Sequence, residues 1–266
     1  MSAVISPRIQ VIESIDEWRS LRRRLRGTVG FVPTMGALHA GHASLLEASR
    51  QRDDFTVLSI YVNPTQFNDA SDLQNYPNTL EADLQLAHEL GVDYVILPKY
   101  EDIYADGFRY QVDETEFSKD LCGGDRPGHF KGVLTVVMKL LNIVQPTRAY
   151  FGEKDYQQLT LIRDMTKAFF MDVDIVGCPT VRERDGLAMS SRNKHLDREA
   201  RCLAGQLNKI LRCSGSDLEV ASELALLGFK VDYVESKQGR RFAAVVIGTG
   251  EQQVRLIDNI ELQRTN

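Results

Sequence analysis

Apolar residues recur along the first two thirds of the chain in two rhythms. Short, nearly continuous apolar runs at Thr28 to Thr34, Phe55 to Asn63, Val92 to Pro98, Ala149 to Gly152 and Val173 to Val181 have the length and β-branched content of strands. Between them the period lengthens to that of a helix: Leu80, Leu84 and Ala87 share one stripe of Thr79 to Leu90, and Val133, Val136, Val137, Leu140, Leu141 and Val144 share another. Strands that lack polar alternation are covered on both faces, so the alternation predicts an α/β fold with a parallel sheet and helical crossovers. Ligands of such sheets collect beyond the carboxyl ends of the strands, and the search for chemistry belongs there.

After Pro179 the pattern changes. A polar stretch leads to expected helices at Ala200 to Leu211 and Asp217 to Leu227, followed by strand-like runs near Val231, Ala243 and Val254. This predicts two domains, residues 1–180 and a smaller α+β domain at 181–266. There is no internal repeat and no low-complexity tract.

Composition narrows the class. The chain has 266 residues, 43% of them hydrophobic and 26% charged, enough for a proper core. Its 37 acidic and 32 basic side chains leave a net charge of −5, which disfavours a nucleic-acid partner. No apolar run approaches the ~20 residues that cross a bilayer, and Met1 to Arg26 carries no secretory apolar block, so the expected location is cytoplasmic with no membrane partner. Cys122, Cys178, Cys202 and Cys213 show no Cys-x-x-Cys spacing, the signature of neither a disulfide scaffold nor a zinc cage.

The two commonest glycine-rich phosphate loops, G-x-x-x-x-G-K-[ST] and G-x-G-x-x-G, are missing from the sequence. In their place Pro33-Thr34-Met35-Gly36-Ala37-Leu38-His39-Ala40-Gly41-His42 stands where the first long apolar strand meets a helical run. Gly36 and Gly41 remove side chains at the turn, and the helix start would offer free amides and a positive dipole end to an anion. Imidazoles three positions apart can face one phosphate together and donate to it, or carry charge toward it. Two competing readings stay open from chemistry alone: a zinc pair, for which no third ligand is evident, and core histidines with satisfied hydrogen bonds.

His39-Ala40-Gly41-His42 resembles the H-x-G-H signature of the nucleotidyltransferase superfamily, which includes class I aminoacyl-tRNA synthetases, cytidylyltransferases and pantothenate synthetases. Val62-Asn63-Pro64-Thr65-Gln66-Phe67, Arg126-Pro127-Gly128-His129-Phe130, Phe151-Gly152-Glu153-Lys154-Asp155-Tyr156-Gln157-Gln158-Leu159 and Met189-Ser190-Ser191-Arg192-Asn193 narrow the resemblance to the pantothenate synthetase family, the pantoate:β-alanine ligases. It spans about residue 10 to 200 and resumes at Val254 to Asn259.

The resemblance implies a Rossmann-like, doubly wound parallel sheet of the nucleotidyltransferase type with a small C-terminal domain. It implies a reaction in which the pantoate carboxylate attacks the α-phosphate of ATP, pyrophosphate leaves, and the β-alanine amine then displaces AMP from the pantoyl adenylate. ATP would be the co-substrate with Mg²⁺, and the assembly a homodimer through the larger domain. Family correspondence places Met35, Gly36, His39, His42, Gly152, Lys154, Asp155, Val181, Met189, Ser190, Ser191 and Arg192 on ATP. Of these, His42 is favoured for stabilising or protonating the leaving pyrophosphate. Ser190, Ser191 and Arg192 resemble a mobile phosphate-contacting loop, and its closure would complete the site and shield the adenylate from water. Gln66 and Gln158 would hold pantoate, with Gln66 also near β-alanine. Taken alone, the glutamines also read as cap or surface amides, Glu153-Lys154-Asp155 as a solvated turn, and Ser190 to Arg192 as a linker. Arg126 and His129 receive no role, and no protein ligand for the metal can be picked.

Two departures are expected to matter. The segment after Asn193 is shorter than the family's usual C-terminal domain, with no clear correspondence from about Gly205 to Lys230, and Thr65 replaces a bulkier apolar residue, which would loosen pantoate packing slightly. The competing functions are another H-x-G-H nucleotidyltransferase such as a cytidylyltransferase, and a non-catalytic nucleotide-binding protein.

Overall fold

The computed structural model describes residues 9–248, 250 and 253–262; the outermost parts of the expected domains, 1–8 and 263–266, lie outside them. In chain order the elements are β1 (Gln10–Ile12), α1 (Ile15–Arg22), β2 (Val29–Thr34), α2 (Ala40–Arg52), β3 (Phe55–Ile60), α3 (Ala70–Gln74), α4 (Leu80–Glu89), β4 (Tyr94–Ile96) and α5 (Tyr100–Ile103). Then come α6 (Cys122–Asp125), α7 (His129–Val144), β5 (Arg148–Gly152), α8 (Tyr156–Ala168) and β6 (Asp174–Cys178). The last third holds α9 (Arg198–Ala204), α10 (Leu207–Leu211), α11 (Asp217–Leu226), β7 (Lys230–Lys237), β8 (Arg240–Ile247) and β9 (Val254–Glu261).

The first six strands form one parallel sheet in the order β1-β4-β3-β2-β5-β6, the expected doubly wound arrangement. Successive strand residues serve opposite faces. Val29, Phe31, Val57, Ile96, Ala149 and Phe151 pack with α1, α7 and α8, whereas Val32, Leu58, Val95 and Tyr150 pack with Leu45 and Leu46 of α2 and Ala87 of α4. All six residues of the expected α7 stripe are buried, so that helix forms as a crossover pressed on the sheet. The winding reverses between β2 and β5, and their pairing covers only Gly30↔Arg148 and Phe31↔Ala149. Beyond Phe31 the two carboxyl ends are unzipped, which opens a crevice at the switch point and leaves room in a central strand for Pro33, which has no N–H to donate.

The last three strands form a separate antiparallel sheet, β7-β8-β9, covered by α9, α10 and α11 around Leu207, Leu211, Leu224 and Val245. This is the small α+β unit expected from the change of pattern after Pro179.

Four boundaries differ from expectation. The edge strand β1 carries only one buried side chain, Ile12, too little to register as an apolar run. Strand β3 stops at Ile60, where its partner β2 ends at Thr34, and β6 stops at Cys178 because Pro179 cannot extend the ladder. The single helix expected over Ala200 to Leu211 is two, broken at Gly205, where a Cβ would come within 2.5 Å of the Asp185 carboxylate.

Beneath the crevice, Asp53 closes the far end of α2. Its carboxylate is fully buried and accepts from Arg148 at 2.7 Å and from the Tyr150 hydroxyl at 2.5 Å, tying α2 to β5. Asp53→Ala would leave both partners short of an acceptor, and we expect it to lower the unfolding free energy by about 3 kcal/mol in urea titration; a loss below about 1 kcal/mol would show that the pair does not hold α2 in place.

Candidate active site

The corner between β2 and α2 is built by its own two histidines. His39 is the N-cap of α2, and its Nδ1 accepts the Gly41 amide at 3.1 Å; His42 Nδ1 in turn accepts the His39 amide at 3.3 Å. The rings lie 4.1 Å apart between centroids, tilted by 36°. A Cβ at Gly41 would meet the His39 ring at 2.8 Å, which is why glycine stands between them. The Gly41 amide is therefore spent inside the cap, contrary to a helix start with every amide free. With both Nδ1 atoms accepting, the neutral rings carry their proton on Nε2, and what the corner offers an anion is a pair of ring N–H donors.

The turn before the histidines is set from below. Asp83 of α4 is 3% exposed and accepts the amides of Ala37 at 2.9 Å and Leu38 at 2.8 Å as well as the Thr79 hydroxyl at 3.1 Å. Gly36 turns at φ 83°, and a Cβ there would press on the same carboxylate at 3.0 Å. The helical stripe of Leu80, Leu84 and Ala87 gave no reason to single out Asp83; its only signal is an acid on the buried side of α4.

Across the crevice, β5 ends at Gly152 and a 3-10 turn, Glu153–Asp155, carries Lys154. Its neighbour Asp155 lies 3.8 Å from the Lys154 Nζ. The turn is gripped by the small domain: Asn259 of β9, 3% exposed, donates to the carbonyl oxygens of Glu153 and Lys154, each at 2.9 Å, while its own Oδ1 accepts from Arg240 at 2.8 Å. Asp258 beside it takes both guanidinium nitrogens of Arg182, at 2.7 and 2.8 Å. The Val254 to Asn259 segment thus joins the two sheets at the site, a role its sequence did not announce.

A cavity of about 280 Å³ gathers Met35, His39, His42, Gln66, Gly152, Lys154, Asp155, Gln158, Val181, Met189, Ser190, Ser191 and Arg192. Gly36 alone of the expected set is not on its wall; it sits in the turn behind Met35. A larger cavity of about 900 Å³ shares Lys154, Gln158 and Arg192 with it and opens between the two sheets. Of the adjacent glutamines at the start of α8, Gln157 is buried and committed to the main chain at Phe117, Asp120 and Cys122, which leaves Gln158 to the cavity. Val181 and Met189 are drawn together by a main-chain hydrogen bond of 3.0 Å.

Ser190 to Arg192 lines both cavities. Ser190 Oγ accepts the Arg192 amide at 3.3 Å, and the Arg192 guanidinium pairs with Asp72 at 2.9 Å. That pair is 39% and 41% exposed, so it is worth no more than about 1 kcal/mol and is readily exchanged. Thr65 hydrogen-bonds Asn63 Oδ1 at 3.0 Å. Arg126 and His129 both converge on the main-chain oxygen of Gln66, at 3.3 and 2.8 Å.

Among the described residues no group of three or more His, Cys, Asp or Glu side chains is gathered to hold a metal ion. The zinc reading of the histidine pair thus finds no third ligand among the described residues.

The residues matched by the family model described as pantoate-beta-alanine ligase are 9–261. The chain belongs to the pantoate-beta-alanine ligase family. The pantothenate synthetase of Bdellovibrio bacteriovorus is 53% identical over 253 residues, 95% of this chain and 99% of that protein, and that of Legionella pneumophila is 53% identical over 94% and 99%. A crystal structure of the Francisella tularensis pantoate-beta-alanine ligase, complexed with beta-gamma ATP and beta-alanine, superposes with a TM-score of 0.88 at 42% identity, covering 95% of this chain and 97% of that one. The Thermus thermophilus pantothenate synthetase superposes at 0.84 with 39% identity, over 95% and 99%. Since the matches span nearly all of these relatives, the shortened C-terminal segment does not set this chain apart from them.

Burial, followed by the charge of Lys154, lowers the His39 pKa from the usual 6.5 to about 4; burial, followed by His39, lowers that of His42 to about 3. Burial and then Arg126 lower His129 to about 4. All three are neutral in the fold near pH 7. The unfolded chain protonates them from about 6.5 downward, so acidification from 6.5 toward 4 favours unfolding, and their contribution is fully present only above 6.5. In ring-proton NMR of the free protein, with signals assigned by single His→Asn variants, we expect His39 and His42 to remain neutral at pH 5.5; a midpoint near 6.5 for either ring would contradict the burial argument.

Proposed function

We propose that this chain joins pantoate to β-alanine at the expense of ATP. A pantoate carboxylate oxygen bonds to the α-phosphorus as the bond to the β-phosphate oxygen breaks and pyrophosphate leaves. The β-alanine nitrogen then attacks the acyl carbon of the pantoyl adenylate, the bond to the AMP oxygen breaks, and the amine gives up a proton. The observation that carries this reading is the pairing, across one switch-point crevice, of two neutral ring N–H donors with the ammonium of Lys154. Such fixed donors stabilise charge as it builds on the departing pyrophosphate. Because His42 is neutral in the free protein, its part is hydrogen-bond donation rather than delivery of a stored proton.

In this reading Met35, Gly36, His39, His42, Gly152, Lys154 and Asp155 hold the triphosphate and ribose, Val181 and Met189 flank the base, and Gln66 and Gln158 take the hydroxy acid. Their meeting in one cavity supports the assignment for all but Gly36, which shapes the turn. Ser190, Ser191 and Arg192 close on the phosphates when Arg192 exchanges Asp72 for the nucleotide. Mg²⁺ arrives with ATP. The sheet strands ending at Cys178 support a division near residue 180, with 1–180 binding the substrates and 181–266 serving as the lid domain. The working unit is a homodimer through the larger domain. Among the described residues no helix is long and apolar enough to cross a membrane, which accords with a cytoplasmic site of action.

Pantoate-dependent exchange of labelled pyrophosphate into ATP tests the reading. We expect exchange that requires pantoate and not β-alanine; exchange specific to CTP, or none, would overturn it. His42→Ala is expected to lower this exchange by about 10² to 10³ while keeping its circular dichroism spectrum, and near-normal exchange would remove His42 from the mechanism.

A further inference from the structure

Gln66 sits in a 3-10 turn, Pro64–Gln66, that is held from three sides. Asn63 is 1% exposed, and its Nδ2 donates to Gln66 Oε1 at 3.0 Å and to the Gly132 carbonyl at 3.3 Å. Asn63 Oδ1 accepts from Tyr104 Oη at 2.8 Å and Thr65 Oγ1 at 3.0 Å, and those two hydroxyls are 3.1 Å apart. Tyr104 is itself buried. On the main-chain side, Gln66 O accepts His129 Nδ1 and an Arg126 nitrogen.

These contacts allow one orientation of two carboxamides. Turning Asn63 over would set its oxygen against the Gly132 carbonyl, which cannot turn with it, and against Gln66 Oε1. With Asn63 fixed, Gln66 Oε1 is turned toward Asn63 and its Nε2 toward the cavity, where its partner is the Met35 thioether at 3.2 Å, a weak acceptor. Gly132 adds steric closure, since a Cβ there would strike Thr65 O at 2.3 Å.

We propose that Tyr104 and Thr65 are positioning residues which, through Asn63, make Gln66 a donor-only contact for an oxygen of the hydroxy acid. The proposal rests on Gln66 as a pantoate contact, as in the function given above. Two hydroxyls reach one acceptor and one donation suffices, so the pair is redundant, and the Thr65 departure from the family pattern adds a second hold on the amide.

Thr65→Val and Tyr104→Phe, alone and together, and Gln66→Ala are compared by pantoate-dependent pyrophosphate exchange, with KM for pantoate and for ATP measured separately. Each single hydroxyl variant is expected to stay within about twofold of the parent in pantoate KM; the double variant raises it about tenfold, with ATP KM within about twofold, and Gln66→Ala raises it at least as much. A double variant with unchanged pantoate KM beside a raised value in Gln66→Ala overturns the positioning role and leaves the pantoate contact standing. Unchanged pantoate KM in Gln66→Ala removes both. Equal rises for pantoate and ATP mark general damage and also overturn the proposal. Should the double variant fail to show a cooperative thermal melt, Asn63→Asp replaces it: its carboxylate cannot donate to Gln66, so the same selective rise is expected, and an unchanged pantoate KM overturns the proposal.

Discussion

The geometry of the site depends on a reciprocal pair of hydrogen bonds at one helix start. Each imidazole of the H-x-G-H segment accepts a main-chain amide of the same turn through Nδ1, which fixes both ring planes and points both Nε2–H groups away from the backbone. The bonds that finish the helix also aim the donors. Rings satisfied as the structural reading requires thus still present the Nε2–H groups that the proposed function calls on. Asp83 extends the arrangement one layer down by holding the two amides that precede the pair.

The sheet and its helices were legible because burial on both faces writes long apolar runs that survive without any knowledge of neighbours. The edge strand β1 left no such mark, since a three-residue strand with one buried side chain is defined by its partner β4 and not by its own composition. The chemistry-bearing residues at strand ends were legible through motif resemblance, and the fold brings them to one cavity. Residues that act through others were not. Asp83, Asn63 and Asn259 reach their partners over 20 or more positions or through a turn whose shape is decided by packing, and a polar residue on an apolar stripe looks like noise until its partner is seen. Arg126 and His129 received no role from the sequence; both meet a main-chain oxygen, which no pattern of side chains reveals.

The two sheets meet at the place where chemistry is expected. Lys237 and Arg255 reach Asp120 and Asp125 of the larger unit, and Asn259 grips the turn that carries Lys154. The small unit thereby holds the main chain of the turn that carries the large unit's Lys154. The Arg192–Asp72 pair is a further exposed contact of this kind, comparable in exposure to Lys237–Asp120.

Asn259 reads the Glu153–Lys154 turn through carbonyl oxygens and not through side chains. Every residue type supplies that oxygen, so the docking joint is blind to drift in the amino acids it clasps. Sequence change at the turn can therefore alter which side chains face the cavity without unseating one half of the molecule from the other.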